Sequence, residues 1–309
     1  MLILRQFPDV WPHTPANAAF RAHFYERWGR EHAIVRGRAK RVEYPPFTQT
    51  LSIKAAWGGG ETYQIDSRQL RVDDDSWLVL NDGRTYASTM CEPRPTDSFA
   101  VFFAPGFAEK VAHATRAGLR QTLDQPDARA DTPVGFAEHL HAHDGNVTPL
   151  LLDLLESVDA GELDSEWFEE QLQLLVEAML AADRQHARLA ERIAAARPAT
   201  RTELLRRVSL AADAIQTRFA EALTLDELAK AASLSKFHLV RLYRAVHGIT
   251  PYEALQRKRA RAAMRLLRDS DADLTDVAVA VGFGTRFTLF RQLRRHYGAG
   301  GSALRSLRI

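Results

Sequence analysis

Cysteine is almost missing from this chain: Cys91 is the only one in 309 residues. One thiol excludes an internal disulfide framework and fits a reducing compartment. With the acidic Glu92 beside it, Cys91 reads as an inert thiol. Long apolar runs are missing as well. Nothing approaches the roughly 20 residues that a membrane helix needs. The first nine residues lack the charged start and apolar core of a signal peptide. These absences predict a cytoplasmic chain without membrane association. No glycine loop of the phosphate-cradling or dinucleotide kind is present, and Gly58-Gly59-Gly60 reads as a flexible turn. A nucleophile elbow is absent too. The chain is therefore read as no enzyme, with no cofactor.

What is present is a charge asymmetry and a repeat. The formal net charge is only +2. Residues 201–309, however, hold 20 Lys and Arg against 10 Asp and Glu, whereas residues 1–200 hold 21 against 29. A basic C-terminal third beside an acidic remainder suits a polyanionic partner for that third alone. Within it, Thr224-Leu225-Asp226-Glu227-Leu228-Ala229 returns 49 residues later as Asp273-Leu274-Thr275-Asp276-Val277-Ala278. Phe237-His238-Leu239-Val240-Arg241 returns 50 residues later as Phe287-Thr288-Leu289-Phe290-Arg291. Each copy reads as helix, tight turn, helix.

In the first copy, Thr224 and Glu227 form a capping box that satisfies orphan amides at a helix start. Leu225, Leu228, Ala229 and Ala232 make an inward stripe. Ser235 caps the next helix after the Ser233-Leu234-Ser235 turn. On that helix Leu239, Leu242, Tyr243 and Val246 share one face. Lys236, Phe237, Val240, Arg241 and Arg244 lie largely on the other, as a helix entering a major groove requires. Arg241 can donate two hydrogen bonds to one guanine, while Arg244 suits a phosphate. Thr250-Pro251-Tyr252-Glu253 then starts a helix with a cap, a proline at the first helical position and a closing glutamate. Its eighteen residues span about 27 Å, a strut that approaches one DNA turn of about 34 Å. In the second copy Asp273 caps, Gly282-Phe283-Gly284 turns, and Arg286, Phe287, Phe290 and Arg291 face outward. Arg294 and Arg295 are phosphate candidates. Phe237, Phe287 and Phe290 can meet thymine methyls, the alternative for Phe290 being core packing.

The segments Leu225–Ala229, Leu234–Arg244, Gly248–Pro251 and Val277–Phe283 resemble the AraC/XylS family of bacterial transcription regulators over residues 202–309. The resemblance implies a seven-helix domain in which two helix-turn-helix units are joined by a long helix. It implies base readout by Lys236, Phe237, Val240 and Arg241, and by Arg286, Phe287 and Arg291. It implies double-stranded DNA and RNA polymerase as partners, and activation as the direction of control. One departure from the family pattern is visible near the end: Gly301 stands where a proline is usual and Leu304 where an aromatic is usual. This weakens the expected start of the last helix.

The first 147 residues carry a helical pattern from about 15 to 30, built on Phe20, Phe24 and Trp28, and then short β-type runs. Thr48–Lys54 partly alternates, whereas Ser76–Asn81 and Ser98–Phe103 read as more fully buried strands. Asn81-Asp82-Gly83 has the composition of a hairpin turn. Many short strands at regular intervals suggest a small β-barrel, and the region loosely resembles the cupin-like sensing domains that precede this DNA-binding module. Trp57, Tyr63, Trp77, Tyr86 and Phe102 are candidates to line an effector pocket, the alternative being plain core. A short helix is expected over 106–121. Residues 148–196 read as helical, and Phe168, Leu172, Leu175, Met179, Ala182, His186, Leu189 and Ile193 recur at steps of four and three. Such a seam suits helix pairing and a homodimer, or else packing onto the strands of its own domain. Pro198 is expected to end that helix and mark a linker. His139, His141 and His143, followed by Asp144, alternate in a pattern that reaches a metal only in an extended segment; a polar surface loop is the commoner outcome.

The expected architecture is α+β in two domains: an N-terminal small β-barrel with flanking helices and a C-terminal all-α domain with two helix-turn-helix motifs joined by a long helix. The divisions are a sensing barrel over 1–147, a helical dimerisation segment and linker over 148–200, and a DNA-binding domain over 201–309. The expected function is a DNA-binding activator responding to a small-molecule effector. The alternatives are a metal-dependent or enzyme-like cupin tethered to DNA, and a regulator without an effector.

Overall fold

The computed structural model describes residues 1–6, 26–124, 133–162 and 164–298, with backbone alone over 117–124. The chain divides into two compact units between residues 186 and 187.

The first unit is built on strands β1 (Leu2–Leu4), β2 (Ala33–Gln49), β3 (Ser52–Trp57), β4 (Gly60–Ile65), β5 (Arg68–Asp73), β6 (Ser76–Leu80), β7 (Arg84–Phe102) and β8 (Leu140–Ala142). β7 is long enough to serve two neighbours. Its first half pairs with β4 and its second half with β3, both antiparallel. The path β7-β3-β6-β5-β4 therefore returns to β7 and closes a barrel, with β2, β1 and β8 as additional strands. The Asn81–Gly83 segment does turn, with Arg84 N–H donating to the Asn81 carbonyl at 3.2 Å. It is not a hairpin, because β6 pairs with β3, β5 and β8, and β7 pairs with β2, β3 and β4.

Alternation gives each barrel strand two faces. Ile53 and Ala55 of β3, Trp77 and Val79 of β6, and Phe99 and Val101 of β7 point to one side. There they meet helices α1 (Phe107–Asp124), α2 (Val147–Ala160) and α3 (Ser165–Arg188). Ala56, Leu78 and Leu80 point to the other side, where they join Tyr63, Ile65, Leu70, Val72 and Tyr86. Both faces are buried. This is why the strands lack a clean polar-apolar alternation in sequence.

The helical reading of 148–196 needs two corrections. The segment is broken at Gly161, which takes the left-handed conformation (φ +83°) as the C-cap of α2. Glycine is suited to that conformation because it has no Cβ to clash. Pro198 starts a helix instead of ending one. It occupies the first turn of α4 (Pro198–Arg218), where its missing N–H costs nothing.

The second unit begins with a 3₁₀ turn, Leu189–Arg192. After α4 come α5 (Leu225–Ala231), α6 (Lys236–His247), α7 (Pro251–Asp269), α8 (Leu274–Ala280) and α9 (Arg286–Tyr297). Two cores form along α7. Leu255 packs with α4, α5 and α6. Ala260, Ala263 and Leu267 pack with α8 and α9. Phe219 touches both cores. The expected seventh helix, with Gly301 and Leu304, lies outside the described residues, as do Phe20 and Phe24.

Candidate nucleic-acid interface

The paired helices of the second unit form for local reasons. Thr224 Oγ1 accepts from the Glu227 amide at 3.2 Å, and Glu227 Oε2 accepts from the Thr224 amide at 2.8 Å. The same reciprocal box joins Thr250 and Glu253 at the head of α7. Ser235 accepts from the His238 amide and caps α6. Asp273 accepts from the Thr275 amide and caps α8. Thr285, which the sequence reading passed over, accepts from the Thr288 amide and caps α9.

These caps leave α6 and α9 as amphipathic helices with their apolar sides inward. Leu239, Leu242, Tyr243 and Val246 are buried on α6, and Leu289 and Leu293 on α9. The opposite side of α6 exposes Lys236, Phe237, Arg241 and Arg244, with Val240 half-buried. That of α9 exposes Arg286, Phe287, Phe290, Arg291, Arg294 and Arg295. Phe237 is 89% exposed, Phe287 74% and Phe290 45%, so none of the three is a core residue. Apolar rings displayed among cations are unusual on a solvated surface and suit the methyl-bearing floor of a major groove. Two candidates already have partners: Lys236 Nζ lies 3.1 Å from Asp226, and Arg295 lies 4.0 Å from Glu253. Both pairs are exposed, so exchange for a phosphate costs little.

One contact missed from sequence locks the two halves of this surface together. Arg259, in the middle of α7, is buried. It donates from Nε to the Phe219 carbonyl and from Nη2 to the Glu221 carbonyl, each at 2.7 Å. The turn of the second motif closes on the same segment. At Gly282 (φ +81°) an added Cβ would stand 2.7 Å from the Ala220 carbonyl oxygen. Only glycine tolerates both the conformation and the approach.

In the first unit the five aromatic pocket candidates do not converge. Trp57 and Trp77 lie on the outer faces of their strands. Trp77 stacks on His141 (centroids 4.1 Å apart) and Trp57 on His143 (6.1 Å). Tyr63, Tyr86 and Phe102 point into the barrel, with the Tyr63 and Tyr86 rings 5.8 Å apart. Phe102 also belongs to a small cluster with Leu2, Leu4, Ala33 and Val35. Burial, followed by the Glu61 charge, raises the pKa of both tyrosines.

The histidine run is not a solvated loop. His141 sits on β8, and His139 stacks between His141 and His186 of α3, with centroids 3.9 and 3.8 Å away. The His139 ring is tilted by 32° and 31° against these two neighbours. Among the described residues no group of three or more His, Cys, Asp or Glu side chains is placed to hold a metal ion. Burial, and then the nearby His186, lowers the pKa of His141 to about 3.

The seam residues Phe168, Leu172, Leu175 and Met179 are fully buried in the core of their own unit, against the outward-facing strand residues and α2. They are therefore spent on holding the barrel's outer face and are not available to a second chain. Cys91 is exposed on β7. No helix among the described residues is long and apolar enough to cross a membrane.

Residues 228–306 match the family model described as a helix-turn-helix domain. The chain is 36% identical to the HTH-type transcriptional activator RhaS of Klebsiella pneumoniae, the match covering 29% of this chain and 38% of that protein. It is 29% identical to the probable transcription factor PqrA of Proteus vulgaris, over 25% of this chain and 63% of that protein. Among solved structures, the DNA-binding domain of AdpA in complex with a target DNA is similar at 29% identity. That match covers 32% of this chain and 89% of that domain, with a TM-score of 0.31. The chain spans less than two thirds of the length of these curated relatives.

Proposed function

We propose that the chain is a member of the AraC/XylS family of transcription regulators by its C-terminal unit, and that it is a sequence-specific activator controlled by a small molecule taken up in the N-terminal barrel. The observation that carries this reading is the repeated presentation of a capped helix whose outer face mixes arginine with exposed phenylalanine. In this reading Lys236, Phe237, Val240 and Arg241 read one stretch of major groove, and Arg286, Phe287 and Arg291 read a second. Arg244, Arg294 and Arg295 neutralise phosphates. RNA polymerase is the protein partner, and the protein acts in the cytoplasm without catalysing a reaction. Two copies pair on DNA, through a surface other than Phe168, Leu172, Leu175 and Met179.

Control requires the effector to favour one arrangement of the chain over another, since equal affinity for both shifts nothing. Selection of bound duplexes from a randomised pool, followed by footprinting, tests the reading. The expected product is a bipartite site with two protected major-groove segments about one helical turn apart. A pool that yields no enriched sequence at modest ionic strength overturns it.

A further inference from the structure

The barrel interior holds a charged side chain that the DNA-reading function does not use. Lys54 sits in the middle of β3 and is 2% exposed. Its neighbours on the same face follow from the register. Ser52 lies opposite Phe102, Lys54 opposite Ala100, and Ala56 opposite Ser98. The lysine thus points into the barrel among small side chains. Its ammonium lies 3.5 Å from the centre of the Phe102 ring and 5.1 Å from that of Tyr86. Ring faces attract a cation, but they accept none of the directional hydrogen bonds its three N–H groups can make.

Glu61, the acidic side chain whose charge reaches Lys54, accepts from Ser98 Oγ at 2.7 Å. Two residues from Lys54 on the same inward face, the Ser52 hydroxyl is buried beside the Tyr86 phenol and makes no close hydrogen bond. Burial of a charge and of a lone hydroxyl is costly unless something compensates both.

We propose that Lys54 and Ser52 form an anion subsite inside the barrel for a small monocarboxylate, the Lys54 ammonium and Ser52 hydroxyl each bonding one carboxylate oxygen while Tyr86 and Phe102 flank its apolar body. The proposal rests on the reading of the barrel as the effector domain and names the chemical class that domain takes. The Glu61 carboxylate already acts on the same ammonium, so one negative charge on the guest is tolerated better than two. The flat, two-oxygen carboxylate suits two donors side by side on one strand, and the rings reward an apolar remainder.

Burial pushes the Lys54 pKa well below the usual lysine range, opposed by the Glu61 charge. An arriving anion favours the ammonium.

The test uses the purified full-length chain with phenylacetate, 3-methylbutanoate and hexanoate, and the amide of each as an uncharged counterpart. At least one acid is expected to raise the melting temperature of the chain while its amide does not. Lys54→Met keeps the length of the stem and removes the charge; it should weaken that acid at least tenfold. Ser52→Ala, a smaller change that guards against misfolding of the first variant, should weaken it severalfold. The assignment is overturned if no acid binds, if amides bind as well as acids, or if acid binding survives both substitutions. Amides that bind and alter DNA affinity would leave the effector reading standing and remove Lys54 from it.

Discussion

Arg259 Nε donates to the Phe219 carbonyl across 2.7 Å and joins the middle of the long helix α7 to the chain leaving α4. Phe219 packs against the cores of both helix-turn-helix motifs. The relative setting of the two reading helices therefore depends on a buried clamp and not on the stiffness of α7 alone. Arg259→Gln is expected to leave a carbonyl unsatisfied, at a cost of about 1–3 kcal/mol. Gly282→Ala forces a Cβ against Ala220 in a left-handed conformation, which alone costs about 1–2 kcal/mol. Both variants should bind an isolated half-site nearly as well as the parent and lose affinity for the bipartite site. They should also discriminate less against sites with one base pair added between the halves. Electrophoretic titration on the three duplexes checks this; equal losses on half-site and full site would refute the clamp's role.

Arg241→Ala and Arg291→Ala are each expected to cost about 1–3 kcal/mol of binding and to relax preference at one base position. Arg294→Ala should weaken all sequences alike and reduce the slope of log affinity against log salt by about 1. Competition binding against single-base variants of the operator separates the two behaviours. Parent-like selectivity in the Arg241 and Arg291 variants would move base reading elsewhere on the helices.

Leu172→Ala removes a fully buried side chain from the core beneath the barrel's outer face. A loss of about 2–5 kcal/mol in the stability of the first unit follows. Sedimentation should show the same association state as the parent wherever the variant stays folded. A folded monomer from a dimeric parent would restore this seam as the interface.

Acid should destabilise the first unit through His141. Its pKa in the folded chain is lowered to about 3, chiefly by burial, against about 6.5 when unfolded. Above both values the ring is neutral in either state, and His141 causes no pH dependence. Between them the unfolded chain holds the extra proton, so stability falls as pH drops, by about 2 kcal/mol at pH 5 from this group. Urea titrations across this range should show the slope, and His141→Phe, which preserves the stack on Trp77, should flatten it. An unchanged slope would locate the acid sensitivity in other groups.

The second unit was far more legible in the sequence than the first. Caps at Thr224, Ser235, Thr250 and Asp273 act within three residues, and the inward stripes of α6 and α9 follow helical spacing, so adjacent residues carry the information. Pro198 misled because a proline past a helical run and a proline opening the next helix look alike until the chain's direction is known. The barrel strands are buried on both faces, so nothing in their composition tells which of Trp57 and Lys54 faces inward. That choice depends on register between segments far apart, such as Lys54 opposite Ala100.

The amino-acid order alone determined that two copies of a capped helix pair exist, and that each turns a cationic, aromatic face outward. Periodicity and capping are short-range and need no partner to be read. Only the tertiary structure decided that the apolar seam of α3 lies beneath the barrel, that Arg259 ties the two motifs together, and that a lysine stands inside the barrel. Each of these depends on groups tens of residues apart meeting in a packed interior. There burial fixes the cost of every polar atom, and only the assembled fold supplies or withholds its partner.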